Sequence, residues 1–173
     1  MTAEANDSRT LLESRPALSL TFRPHAGLLT PVRDFVSSFC GTFLRDDDMI
    51  YRIGVTVHEL LENAIKYSLD GTTEMRIELR RLTEGSHVSI HTENRATRES
   101  ILAVRNIIDR IHDAEDPFEL YCDMIRASLE QETGSGLGLA RIRAEAGLEI
   151  HSAVFDDHVS VFAEARIDQG SLV

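Results

Sequence analysis

The chain has 173 residues, 42% of them hydrophobic, enough for a single domain with a sizeable core. A net charge of −11 argues against a nucleic-acid or anionic-membrane surface, either of which demands clustered Lys and Arg. Cys40 and Cys122 have neither metal-ligand spacing nor a disulfide framework, and no signal-type apolar run or membrane span is present, so a cytoplasmic protein without membrane insertion is expected.

Residues 1–15 read as a disordered lead-in, leaving 16–173 as the folded domain. Ala17 to Arg23 alternates apolar and polar residues, the pattern of a half-buried strand. Thr30-Pro31 offers an N-cap and a first-turn proline for a helix running to about Leu44, with Val32, Phe35, Val36, Phe39 and Phe43 facing inward. Arg45-Asp46-Asp47-Asp48 breaks that helix and caps the next, which ends near Asp70-Gly71. Met75–Leu82 and His87–Thr92 read as strands joined through Glu84-Gly85.

A helix follows from Arg98 to about Ile111, with Ile101, Val104, Ile107, Ile108 and Ile111 on one side, and Pro117 starts another to about Leu129. Residues 98–133 carry nine acids against four Arg, the most acidic stretch of the chain. Gly134-Ser135-Gly136-Leu137-Gly138-Leu139 leads into a helix closed by Gly147, and Leu148–Val154 with His158–Arg166 form a last hairpin about Asp156-Asp157. The whole is α+β: a two-layer α/β sandwich with a mixed, mostly antiparallel sheet and helices on one face. Its expected core includes Leu18, Leu20, Phe22, Phe35, Phe39, Val57, Leu60, Ala64, Ile77, Leu79, Val88, Ile90, Leu139, Ile142, Ile150, Val159 and Val161.

Two stretches carry chemistry. On the helix holding Val57 to Ser68, the apolar residues Val57, Leu60, Leu61 and Ala64 share one face, while Glu59, Glu62, Asn63 and Lys66 fall opposite at three- and four-residue spacings. Two carboxylates, a carboxamide and an ammonium suit a hydrated divalent cation and a phosphate chain; a solvated helix face accounts for the same residues. Lys66 is the chain's one lysine, beside seventeen Arg. Downstream, glycines at 134, 136 and 138 permit positive φ and close approach of backbone to a ligand, and the following helix points its N–H groups back at the loop. That combination can cradle phosphate, although a Gly-x-Gly-x-Gly run is also a common tight turn. No P-loop and no protein-kinase motif occurs, and His58-Glu59 lacks the second His of a zinc protease, since position 62 is Glu.

Glu59, Asn63 and Lys66, with Gly-x-Gly-Leu-Gly-Leu about seventy residues on, resemble the N box and second glycine box of the GHKL ATPases, which include DNA gyrase, MutL and the ATP-binding domains of histidine kinases. The order of elements is similar too, over roughly Leu18 to Ile167, and among these proteins the small bacterial Ser/Thr-kinase-type anti-sigma factors look most alike. The resemblance implies the Bergerat, or histidine kinase-like, ATPase fold, with 98–133 as a helical lid insertion. It also implies Mg²⁺ with ATP or ADP as cofactors: Asn63 would ligate Mg²⁺, Glu59 would orient or deprotonate the attacking group, and Lys66 and the loop from Gly134 through Ser135, Gly136, Leu137 and Gly138 to Leu139 would contact phosphate. The first glycine box, Asp-x-Gly-x-Gly, is absent: the chain reads His91-Thr92-Glu93-Asn94-Arg95-Ala96, so Thr92, Glu93 or Asn94 would have to offer the acceptor for adenine. Two readings follow. One is a Mg-ATP-binding regulatory Ser/Thr kinase or anti-sigma-like partner-switching factor, acting on a protein partner such as an antagonist or a sigma factor, and compatible with a homodimer. The other is a catalytically inactive pseudokinase or adaptor working by protein contact alone.

Overall fold

The computed structural model describes residues 16–23, 25–82, 85–131 and 136–168. Strands β1 (Ala17–Phe22), β2 (Thr73–Arg81), β3 (Ser86–Arg95), β4 (Glu149–Phe155) and β5 (His158–Ile167) form one sheet in the order β1-β2-β3-β5-β4. All four ladders are antiparallel, so the described strands contain no parallel pair where a mixed sheet was expected. Two helices separate β1 from β2, rather than the single crossover helix of a parallel βαβ unit.

Alternation builds the layers. β2 buries Thr73, Met75, Ile77 and Leu79, and β3 buries Val88, Ile90 and Thr92; the residues between them lie on the other face. On that open face Glu78 takes hydrogen bonds from Arg80 (2.8 Å) and Arg76 (2.6 Å), which, Arg80 foremost, hold its carboxyl below the usual range.

The helices cover the other face as the second layer of a two-layer α/β sandwich. They are α1 (Leu29–Phe43), α2 (Asp47–Tyr67), α3 (Arg98–Asp113), α4 (Pro117–Gln131) and α5 (Leu137–Arg141), the last running into a π-helical turn (Ile142–Ala146). α2 starts where the acidic run places it: the Asp46 carboxylate accepts the Met49 N–H at 3.0 Å, and Asp47 and Asp48 occupy the first turn. α1 starts at Leu29, with Pro31 in its first turn, because a 3₁₀ turn (Ala26–Leu28) precedes it; Thr30 is therefore inside the helix rather than its cap. Gly147 closes the last helix with φ +65°.

The core lies between α2 and the sheet, where Ile53, Val57, Leu60 and Leu61 meet Met75, Ile77, Leu79, Val88 and Ile90. Leu139, Ile142 and Ile150 are buried as expected, and Leu18, Leu20, Phe22 and Phe39 pack against the cluster half-buried. Phe35 departs from expectation, with 52% of its surface exposed. α1 packs mainly on α2 and buries only the strip through Val36 and Cys40, so Phe35 falls on its flank. Burial pushes the Cys40 thiol up to about 12, which leaves it a packing residue rather than a nucleophile. α3 contributes Ile101, Ile107, Ile108 and Ile111 to the core, and α4 adds Met124. Among the described residues, no helix is long and apolar enough to cross a membrane.

Candidate functional site

α2 is flanked by α1 and α5 as well as backed by the sheet, and this divides its polar face. Glu62 and Lys66 are exposed, Asn63 is half-buried, and Glu59 is only 7% exposed, in place of the single solvated face expected. A buried carboxylate needs a partner. Glu59 Oε1 accepts a hydrogen bond from Arg141 Nη1 at 2.9 Å, across 82 residues of sequence. Arg141 also donates through Nε to Glu145 at 2.7 Å; Glu145 and then Glu59 hold its guanidinium above its ordinary pKa. The i, i+4 pair of Arg141 and Glu145 was visible in the sequence, but the link to Glu59 carried no local signal.

The two motifs meet at this carboxylate. A Cβ on Gly138 would stand 2.5 Å from Glu59 Oε2, so the helix after the glycine loop comes close only because 138 has no side chain. Gly136 has φ +86°, and its own Cβ would lie 2.7 Å from Ile107 Cγ1 of α3. Leu137 is half-buried and Leu139 is buried.

Beside Glu59, the residues Asn63, Thr92, Asn94 and Leu139 line one cavity with Ser100 and Val104 of α3. Strand alternation selects Thr92 and Asn94 for this side and turns Glu93 to the open face, where it accepts a hydrogen bond from Ser160 at 2.8 Å. Opposite Asn94 in the β2–β3 register stands Thr73, whose buried Oγ1 has no hydrogen-bond partner among the described residues. Sequence reasoning missed that hydroxyl, together with the α3 residues and Arg141.

These donors and acceptors fit a magnesium nucleotide chemically: an amide oxygen for a cation that keeps several waters, and hydroxyl and amide groups for a base edge. The space does not fit it in this arrangement. The cavity holds about 20 Å³, room for one water molecule. Among the described residues there is also no cluster of three or more His, Cys, Asp and Glu that could hold a metal. Lys66 stands outside the cavity lining, its ammonium 5.2 Å from the centre of the Tyr67 ring. Gly134 and Ser135 lie outside the described residues.

No protein-family profile matches the chain, and no curated protein matches it either. Among solved structures it is similar to a chain of the SiaB–SiaC complex from Pseudomonas aeruginosa, with a TM-score of 0.63 at 14% identity, over 86% of this chain and 88% of that one. At that identity the likeness is one of fold.

Proposed function

We propose that this domain is a GHKL-type, Mg-ATP- or Mg-ADP-binding regulatory protein of bacterial signalling that works on a protein partner, as a Ser/Thr kinase or partner-switching factor. The observation that carries this reading is the convergence of Glu59, Asn63 and the Gly136–Leu139 turn, from motifs far apart in sequence, around Thr92 and Asn94. Asn63 would hold Mg²⁺, Gly136 to Leu139 with Gly134 and Ser135 would face phosphate, and Lys66 would supply a point charge from the end of α2. Thr92 and Asn94 would take the base edge, and Glu59 would orient the acceptor hydroxyl. The solved neighbour belongs to a complex of two named proteins, which supports action through protein contact.

The 20 Å³ cavity adds a condition: nucleotide enters only when α3 moves. α3 and α4 are therefore read as the lid. The same observation favours the second reading, a pseudokinase or adaptor, if α3 never leaves. Calorimetry with Mg-ATP, Mg-ADP and Mg-GTP separates the two. Weak binding with poor adenine preference is expected, because no Asp-x-Gly pairs with the base. Asn63→Ala should abolish the Mg-dependent component and leave the fold intact. No heat from wild type at millimolar Mg-ATP would leave the adaptor; equal binding by the variant would remove Asn63 from the site.

A further inference from the structure

On the flank of α2 opposite Asn63 lies a second cavity, of about 460 Å³, within the usual range for small-molecule sites. Its walls are Arg33 and Ser37 of α1, Tyr51, Gly54, Val55 and His58 of α2, and Arg141 of α5. Gly54 lets α1 come close to α2 at the cavity's edge, since a Cβ there would stand 3.2 Å from Ser37 Oγ and 3.7 Å from Arg33 Cγ. The polar groups are two guanidiniums, two hydroxyls and an imidazole. His58 Nδ1 is buried and has no hydrogen-bond partner among the described residues. Asp34, Glu59 and Glu145 pair with the two arginines, yet no carboxylate is among the described residues lining the space. These pairs use Nε and Nη2 of Arg33 and Nε and Nη1 of Arg141, so a phosphate would meet Arg33 Nη1 and Arg141 Nη2 first and compete with the carboxylates for the rest, while Tyr51 and Val55 offer an aromatic and an aliphatic contact.

We propose that this cavity binds a small phosphomonoester carried on an aromatic or apolar body, and that the bound phosphate draws Arg141 away from Glu59. Arg141 reaches both places: it lines the cavity and donates Nη1 to Glu59. A phosphate competes for that donor and leaves the Glu59 carboxylate free to accept from a substrate hydroxyl. This second half rests on the function proposed above; the binding half does not.

The test titrates phenyl phosphate into the ¹⁵N-labelled full chain and follows the Arg141 Nη1–H, which donates to Glu59, and the His58 ring nitrogens. Saturable shifts at both are expected, with inorganic phosphate roughly tenfold weaker because it cannot use the apolar wall. Arg33→Gln and Tyr51→Ala, at partly exposed positions that the fold tolerates, should each weaken binding roughly tenfold, while Asn63→Ala should leave it unchanged. No saturable shift by about 10 mM phenyl phosphate, or equal affinity in wild type and Arg33→Gln, would overturn the site. Binding that leaves the Arg141 Nη1–H resonance unmoved would overturn the link to Glu59. Failure of Mg-ATP to bind would leave the phosphate site standing, because the two cavities lie on opposite flanks of α2.

Discussion

Replacing Gly138 by Ala tests whether the carboxylate of Glu59 is held as described. Gly138 is helical and not among the positive-φ glycines, so the backbone accepts alanine without strain. On an ordinary helix this change would stabilise, by up to about 1 kcal/mol. Here the new Cβ would meet Glu59 Oε2 at 2.5 Å while standing 3.4 Å from Glu59 Cβ, so only the carboxylate must swing aside. In swinging it gives up Arg141, a charged hydrogen bond worth about 1.5–3 kcal/mol. The difference is a net loss of roughly 0.5–3 kcal/mol. Urea unfolding reads this as a lower midpoint at unchanged slope. In a Glu59→Ala background the same substitution should turn neutral or stabilising, because nothing remains to displace. A Gly138→Ala protein more stable than wild type would refute the close approach and, with it, the meeting of the two motifs.

Ile107→Ala, which removes the α3 side chain packed on Gly136 and is 8% exposed in wild type, should cost about 2–5 kcal/mol in denaturant unfolding and should raise Mg-nucleotide affinity by loosening α3; lower affinity would mean that α3 helps to form the site. His91 stacks on Phe162 at 4.4 Å, and burial holds its imidazole below the ordinary pKa, against the opposing pull of Glu93 and Glu74. The unfolded chain therefore binds that proton first, and this part of the stability is present above about pH 6.5 and lost as pH falls. His91→Phe should keep the stack and shrink the drop in Tm between about pH 7 and pH 5; an unchanged drop would remove His91 from the effect.

Much of the fold was legible because it rests on local signals. The apolar stripe of α2, the acidic cap at Asp46 and the Gly147 stop each act within a few residues. The α3 stripe was equally plain, and four of its five isoleucine and valine positions are buried. Phe35 was misread because helical periodicity cannot show how wide a strip the neighbouring elements will cover. At the site, sequence order linked Glu59 and Asn63 to the glycine loop. It could not reveal that Arg141 neutralises Glu59 or that Ile107 sits over Gly136, since both contacts join distant segments. Lys66 was grouped with Glu59 and Asn63 by helical spacing, but spacing cannot show where the neighbouring elements divide that face: Asn63 and Tyr67 line the cavity and Lys66 is exposed beside it.

α3 is fastened at two places on its inner face. Near its middle Ile107 rests over Gly136, and at its C-terminal end His112 Nε2 donates to the carbonyl oxygen of Ile150 at 2.7 Å. Ile150 belongs to β4, an outermost strand of the sheet. Lifting α3 off the cavity would also break that hydrogen bond and free the Ile150 carbonyl on this outermost strand. Were another chain to add at β4 and take up that carbonyl, opening and association would be one equilibrium. The open population would rise with protein concentration by mass action, and any partner adding a strand at β4 would hold the aperture open without touching it.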